Sequence, residues 1–136
     1  QGAWQTEEQF SDGTLRLIGL LWAAVEGGGP LLLEEPELSL HPEIVRFLPQ
    51  MFARTQRRTG RQIILSTHST DLLHDEGIGL DEVLLLQPSP EGTTVRRADE
   101  FDDIRRLLEG GLTPAEAVIP KTRPSNPEQL ALFAER

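Results

Sequence analysis

Residues 31–41 constrain the fold most strongly, because three leucines run directly into three carboxylates, those of Glu34, Glu35 and Glu37. A short apolar run of this kind is typical of a strand that is buried on both faces of a parallel sheet. Ionised carboxylates are costly to bury unless a cation or a hydrogen-bond donor binds them. The stretch therefore predicts a strand over residues 31–35 that ends in a functional site.

A second apolar run, residues 62–66, leads into the polar turn that contains His68. Segments with helical spacing of apolar residues precede and separate the two runs. Helices that alternate with strands indicate an α/β fold with a doubly wound, mainly parallel sheet, in which ligands bind beyond the carboxyl ends of the strands. If the two strands are parallel neighbours, Glu34, Glu35 and His68 face one crevice.

Local signals predict the helices of the first half. Ser11 is a suitable N-cap for a helix that starts near Asp12, and the apolar run over residues 15–25 predicts that this helix is buried on most sides. Pro42 suits the first position of the next helix, which is expected to run without interruption to about Gly60.

The second half of the chain has signals for a hairpin and short helices. Residues 81–98 predict a β-hairpin, residues 101–109 an amphipathic helix, and Thr113 the start of one further turn. A Pro-rich stretch follows. We therefore expect one domain over residues 1–119, and a linker with a terminal helix or peptide motif over residues 120–136.

Composition excludes several kinds of site. The chain of 136 residues has no cysteine, so disulfides and thiolate metal sites are excluded. Its net charge of −9 makes it a poor main DNA-binding surface, because such a surface repels phosphate on average. No apolar run is long enough to span a membrane and no export leader is evident, so we expect a cytoplasmic protein. The basic residues near the end of the second helix are interpreted as a solvated helix end: Arg54, Arg57, Arg58 and Arg61.

The residue types at the two strand ends suit phosphoryl chemistry. One carboxylate can hold Mg²⁺, which needs only one or two carboxylates besides water and phosphates, and a second can orient or deprotonate an attacking water. A histidine can hydrogen-bond the transferred phosphate, and a helix N-terminus can bind phosphate through its N–H groups. However, no P-loop motif occurs in the chain, because that motif requires a lysine and Lys121 is the only one.

Three motifs together resemble those of the ABC-type ATPases, and specifically of RecF/SMC-like AAA family ATPases of the AAA_21 type. FSDGTLRLIGLL, residues 10–21, is similar to the signature motif. PLLLEEPELSLHP, residues 30–42, is similar to Walker B followed by the D-loop, and ILSTHS, residues 64–69, to the switch-histidine segment. The resemblance covers about residues 10–87. It implies the C-terminal portion of a P-loop NTPase fold and Mg²⁺-dependent ATP hydrolysis.

The resemblance also implies a role for individual residues. Glu34 corresponds to the Walker B acid that orients Mg²⁺, Glu35 to the catalytic glutamate, and His68 to the switch histidine. The signature and D-loop positions, which in the family contact ATP or link two sites across a dimer, are Ser11, Asp12, Gly13, Ser39 and His41. Two of these positions depart from the family pattern, since Glu34 and His41 stand where aspartate is common.

The implied partners follow from the missing P-loop. We expect ATP to lie between two copies of the protein, and the P-loop to be supplied by an N-terminal half of the same ATPase. On this interpretation Gln1 is not a native start, and the chain is either a C-terminal half or a degenerate relative. The resemblance further associates the chain with DNA repair, chromosome maintenance or phage defence, with any DNA contact made through other parts of the protein.

Other interpretations remain open. The chain could be a catalytically silent interaction module that keeps the fold, or the acidic cluster could serve a metal-dependent nuclease. Glu34 and Glu35 could instead pair with arginines, and His68 could be a core histidine bound to a backbone carbonyl. We further expect Trp4 and Trp22 to lie in the core. His41 is expected in a turn and His74 at the surface.

The stretch QLALF, residues 129–133, resembles the pentapeptide with which bacterial proteins bind the sliding clamp. Gln129, Leu130, Leu132 and Phe133 match that pattern. The alternative is an ordinary amphipathic helix that begins at Pro127 and packs on its own domain.

Overall fold

A computed structural model describes residues 6–124 of the chain, without the side chain of Glu7. The chain divides into two compact units, Gln1–Gly77 (unit 1) and Ile78–Arg136 (unit 2). This division lies inside the single domain expected for residues 1–119. The predicted boundary before residue 120 stays a prediction. Trp4 and the clamp-like motif at residues 129–133 lie outside the described residues.

From residue 6 onward, unit 1 contains a parallel pair of strands and three α-helices. The elements in chain order are α1 (Asp12–Val25), β1 (Leu31–Glu34), α2 (Pro42–Val45), α3 (Leu48–Thr59) and β2 (Ile63–Ser66). Short 3₁₀ turns lie at Glu7–Gln9 and Leu72–His74. The two strands are parallel, and the register pairs Leu31 with Ile63 and Glu34 with Ser66. The predicted parallel neighbours are therefore confirmed.

The helix ends of unit 1 follow the local chemistry of the sequence. Ser11 caps α1, since its side chain accepts a hydrogen bond from the Thr14 N–H. Pro42 occupies the first turn of α2, and α3 ends at Gly60, which adopts a left-handed conformation with φ 69°. The prediction of one continuous helix after Pro42 was wrong. Pro49 explains the break, because a proline has no N–H to donate to the carbonyl four residues earlier and its ring clashes with that carbonyl.

The core of unit 1 lies on one face of the strand pair. It consists of Leu20, Val45, Leu48, Phe52 and Leu72, with Leu33, Leu40, Met51, Ile63 and Leu65 packed against it. The opposite face is open, and Leu32 is 72% exposed. The prediction that this strand is buried on both faces was wrong for the described chain, because the packed core residues lie on only one side.

Helix α1 is also less buried than its sequence suggested. Only Leu20 and Ala24 of this helix are buried, and Trp22 is 67% exposed. The expected burial on most sides, and the expected core position of Trp22, were therefore wrong. The apolar run is longer than the stripe that the neighbouring elements of unit 1 cover.

Over residues 78–124, the part of unit 2 that the structure describes, there are a hairpin and two α-helices. The hairpin pairs β3 (Leu84–Ser89) with β4 (Gly92–Arg97), and the helices are α4 (Asp102–Glu109) and α5 (Pro114–Val118). Three 3₁₀ turns lie at Leu80–Glu82, Ala98–Glu100 and Ile119–Thr122. The core consists of Leu85, Ala98, Ile104, Ala117 and Val118. The predicted hairpin, the amphipathic helix and the turn that begins at Thr113 are confirmed.

The described residues thus form a mixed α/β structure with two small sheets, one parallel and one antiparallel. Each sheet has two strands within residues 6–124, so the larger doubly wound sheet stays a prediction. Within this same range, no helix is both long and apolar enough to cross a membrane.

Candidate functional site

The carboxyl ends of β1 and β2 meet at one edge of the parallel sheet. Glu34 ends β1 opposite Ser66, which ends β2. The Glu35 N–H continues the pairing and donates to the Ser66 carbonyl at 2.9 Å. Parallel strands whose connection crosses over place their carboxyl ends at the same edge, where α/β proteins bind ligands. The sheet therefore brings the carboxylates and the turn of His68 together, as predicted.

Glu35 has an unusual backbone conformation that two neighbours hold in place. Its φ is +41°, in the left-handed region that side chains other than glycine rarely adopt. Its carbonyl accepts hydrogen bonds from Arg16 Nη2 at 3.0 Å and from the Leu38 N–H at 3.2 Å. Strain of this kind persists only where the surrounding structure fixes it, and it is frequent at functional sites.

Glu35 and His68 face each other across the sheet edge. The distance from Glu35 Oε1 to His68 Nε2 is 3.9 Å, and the two side chains are 34% and 84% exposed. That separation is too long for a direct hydrogen bond but leaves both groups accessible to a substrate or water. The interpretation of His68 as a core histidine was therefore wrong.

Glu34 is exposed, and within residues 6–124 its carboxylate makes no hydrogen bond or ion pair. Among these same residues, no group of three or more histidine, aspartate or glutamate side chains could hold a metal ion. A single free carboxylate still suits Mg²⁺, which takes its other ligands from water and phosphate oxygens. The suggestion that Glu34 pairs with an arginine finds no support, and Arg16 contacts the Glu35 carbonyl rather than its carboxylate.

The signature residues and the D-loop lie against each other. A Cβ atom at Gly13 would lie 2.3 Å from the Ser39 carbonyl oxygen, so only glycine permits this approach. Ser39 itself has φ +65°. Ser11 Oγ is used to cap α1, and Asp12 lies exposed in the first turn of that helix. The structure thus places Gly13 beside Ser39, which the sequence could not show.

The histidines other than His68 have local roles. His41 is the N-cap of α2, where its Nδ1 accepts a hydrogen bond from the Glu43 N–H at 3.2 Å. The expected turn position of His41 is confirmed by this contact. His74 is exposed at the end of a 3₁₀ turn, which confirms its expected place at the surface.

Three polar contacts near the site were missed by sequence reasoning. The Thr67 hydroxyl donates a hydrogen bond to Glu37 Oε1, and it accepts one from the Ser69 N–H at 2.9 Å. Arg46 Nε donates to Asp71 Oδ1 at 3.0 Å, which ties α2 to the segment after β2. The sequence signal for these contacts was weak. Two of them join residues that are far apart in the chain, and the third is a local bond between residue types that are common at protein surfaces.

Arg61 has a structural role rather than that of a solvated helix end. Its guanidinium donates to the carbonyls of Ala23, Glu26 and Gly29 at 2.5, 2.7 and 2.7 Å. It therefore caps the negative end of α1 and fixes the glycine-rich turn before β1. An open cleft of about 270 Å³ beside it is lined by residues 27–30 and 59–62.

Comparison with known families shows the family of this chain. Residues 1–74 match the family AAA_21, described as "AAA domain, putative AbiEii toxin, Type IV TA system". The chain belongs to this family. The matched residues cover most of unit 1, including the sheet edge with Glu35 and His68. No curated protein matches the chain significantly.

Membership of this AAA family indicates an ATPase-type protein that uses nucleotide and Mg²⁺ at the level of the family. The mixed α/β structure also fits a domain related to the P-loop NTPases. The predicted recognition of an AAA_21-type ATPase is therefore confirmed. The assignment of individual motifs to signature, Walker B and switch histidine stays a prediction.

Proposed function

We propose that unit 1 is the part of an ABC/SMC-like ATPase that carries the hydrolytic groups, with Glu35 as the catalytic carboxylate and His68 as the residue that contacts the γ-phosphate. The observation that carries this proposal is the convergence of these two side chains, 3.9 Å apart, at the carboxyl edge of the parallel strands. Within the family that the chain belongs to, such an edge is suited to a nucleotide.

The geometry suits the attack of water on a phosphate. One oxygen of the half-exposed Glu35 can accept a hydrogen bond from water and align it for in-line attack, while His68 can donate from its exposed ring to a phosphate oxygen. Glu34 would hold Mg²⁺, whose charge offsets the charge that develops on the phosphate oxygens. The contacts of the Glu35 carbonyl fix the backbone from which this carboxylate projects, which favours a preorganised site.

The remainder of the nucleotide site is proposed to come from other segments. The P-loop amides and lysine would be supplied by an N-terminal half of the same ATPase. A second copy of the protein would present Ser11, Asp12 and Gly13, together with Ser39 and His41, to the nucleotide bound by the first. DNA repair, chromosome maintenance and phage defence are the associated processes. The family description, which names a putative toxin, is compatible with the last of these.

The test is ATP hydrolysis with and without a P-loop. We expect this chain alone to release no phosphate above background, and we expect turnover in a protein in which a P-loop-bearing segment precedes residue 1. In that protein Glu35→Gln should retain ATP in a dimer and lose turnover by about 10²-fold or more, since the amide keeps the shape but removes the base. Glu76→Gln, which changes an exposed glutamate of unit 1 that makes no hydrogen bond or ion pair with Glu35 or His68, is the matched control. Normal turnover of Glu35→Gln would contradict the assignment.

A second candidate is a catalytically silent module that binds a partner protein. The absence of a P-loop lysine from the chain favours it. The same experiment separates the two candidates, because a silent module would show no turnover even when the P-loop segment is present.

Binding of a sliding clamp by residues 129–133 is a separate proposal, and a peptide of residues 124–136 tests it directly. Micromolar affinity that is lost on Leu132→Ala with Phe133→Ala would support it.

A further inference from the structure

Thr67 joins the two loops of the candidate site. It lies directly before His68 in the turn that follows β2, and its hydroxyl donates to Glu37 Oε1 in the loop that follows β1. Glu37 lies two residues after Glu35. One side-chain hydrogen bond therefore connects the loop of the catalytic carboxylate to the turn of the histidine.

The same hydroxyl also fixes the turn on the other side of His68. Thr67 Oγ1 accepts a hydrogen bond from the Ser69 N–H at 2.9 Å. Ser69 Oγ in turn accepts from the Leu72 N–H at 3.3 Å. Since a hydroxyl has a single proton, donation to Glu37 leaves the lone pairs of Thr67 to accept from Ser69. The oxygen of the Thr67 hydroxyl thus holds the turn through hydrogen bonds to Glu37 and to Ser69, the residue that follows His68.

Glu37 is held in a position that a solvated glutamate would not take. Its Oε2 atom is buried and has no hydrogen-bond partner within the described part of the chain. Burial of a carboxylate oxygen without a partner is unfavourable, and an exception of this kind in a native structure requires an explanation. The hydrogen bond from Thr67 to Oε1 stabilises the carboxylate in this position.

Among the residues that the structure describes, the ring of His68 makes no hydrogen bond that would set its direction. Its side chain is 84% exposed, and its Nε2 lies 3.9 Å from Glu35 Oε1. The backbone of the turn therefore sets the point from which the ring projects, and Thr67 is hydrogen-bonded to that backbone at Ser69. We propose, on the basis of the function proposed above, that Glu37 and Thr67 are positioning residues that hold the turn of His68 so that its ring faces the carboxylate of Glu35.

Nuclear magnetic resonance of the full 136-residue chain tests this proposal without nucleotide. In Thr67→Val, which removes the hydroxyl but keeps the shape, the Ser69 amide should exchange its hydrogen about 3- to 10-fold faster, the range expected for loss of one hydrogen bond. Thr67→Ser should restore slow exchange. The β2 amides should not change, and Thr70→Val, at an exposed threonine nearby, is the matched control.

The ring signal of His68 gives a readout that a merely structural role would not move. In the wild type and in Thr67→Ser, Glu35→Gln should shift the Cε1–H resonance of His68, because the ring faces that carboxylate. In Thr67→Val this shift should be lost. The resonance of His74, an exposed histidine away from the site, serves as the reference in the same spectrum.

A second pair of variants keeps the test valid if Thr67→Val does not fold. Glu37→Gln retains an oxygen that can accept from Thr67 and should behave as the wild type at Ser69. Glu37→Met removes the acceptor at similar size and should reproduce the faster exchange. The proposal is overturned if Ser69 exchange is unchanged in Thr67→Val, or if Glu35→Gln still shifts the His68 signal in that variant. If Thr67→Val does not fold, the same two results in Glu37→Met overturn it. Neither result depends on ATP turnover, so the proposed function would stand or fail separately.

Discussion

Unit 1 and unit 2 differ in the range over which their polar side chains make contacts. In unit 1 the arginines reach far along the chain: Arg16 binds the Glu35 carbonyl, and Arg61 binds three carbonyls before β1. In unit 2 the arginine contacts are mostly local, for example Arg97 with Asp99 and Arg105 with Asp102. The arginines of the unit that contains the candidate site therefore join distant segments, whereas those of the other unit mostly bind neighbours in sequence.

Backbone strain follows the same division. Within residues 6–124, the residues other than glycine that have positive φ are Glu35 and Ser39, and both belong to unit 1. Strain of this kind must be offset by the surrounding contacts, and it is typical of sites that hold groups ready for a ligand. The backbone conformations of Glu35 and Ser39 therefore lower the stability of unit 1 in order to hold the geometry of one sheet edge.

Gly13 offers the largest expected effect on stability. Gly13→Ala would force its Cβ against the Ser39 carbonyl, so we expect a loss of about 1–3 kcal/mol, the usual cost of overpacking. The matched control is Gly19→Ala in the same helix, where nothing lies within 4 Å of a Cβ. That change should stabilise unit 1 by about 0.5–1 kcal/mol, because alanine favours a helix. Urea denaturation monitored by amide signals of unit 1 measures both changes in stability. Equal changes in the two variants would contradict the close approach of Gly13 to the Ser39 carbonyl.

Arg61 tests whether long-range contacts matter more than local ones. Arg61→Ala removes hydrogen bonds to three carbonyls, so we expect unit 1 to lose about 1–2 kcal/mol. Arg58→Ala, at an exposed residue of α3, should change stability by less than about 0.5 kcal/mol. In unit 2, Arg97→Ala removes a local surface pair and should cost about 0–1 kcal/mol. A larger loss from Arg97→Ala than from Arg61→Ala would contradict this account.

The ion pair between Lys121 and Asp103 is expected to have the smallest effect on stability. It joins residues 18 positions apart, unlike the local arginine pairs of unit 2. The Lys121 ammonium donates to Asp103, and this hydrogen bond holds the pKa of the Asp103 carboxyl below its usual value. A lowered pKa in the folded state stabilises the protein above the usual pKa of aspartate, and this stabilisation is lost as the pH falls through the folded value. Asp103→Asn should therefore lower stability slightly at neutral pH and have less effect in strong acid.

Denaturation of Asp103→Asn and of the wild type, at neutral pH and in strong acid, measures how the loss of stability depends on pH. Glu109→Gln, at an exposed position at the end of α4, is the control. A destabilisation that is equal at both pH values would show that the charge of Asp103 contributes nothing.

The sequence predicted best where the determining contacts are local. The N-cap at Ser11, the helix that begins at Pro42, the hairpin after residue 81 and the helix start at Thr113 each follow from a few adjacent residues. The pairing of the two parallel strands was also predictable, because both apolar runs end in polar groups that suit one edge. The break before α3 had a visible signal in Pro49, which was overlooked.

The sequence could not predict the contacts that join distant segments. Neither the approach of Gly13 to the Ser39 carbonyl nor the bond between Thr67 and Glu37 has a periodic pattern. The exposure of Leu32 and Trp22 was missed because hydrophobicity indicates that a residue can be buried and not that a neighbour covers it. The sequence thus indicated the residues of the candidate site, whereas the contacts that support them were found only in the structure.

The central claim is that Glu35 and His68 act on one substrate at the edge of the parallel sheet. The most direct measurement is the ATP turnover of the single variants Glu35→Gln and His68→Ala and of the double variant, in a protein that contains this chain after a P-loop-bearing segment. Groups that act as a unit are strongly non-additive, so the double variant should be about as slow as the slower single variant. His74→Ala should leave turnover unchanged. Losses that multiply in the double variant, or a His68→Ala variant with normal turnover, would contradict the account.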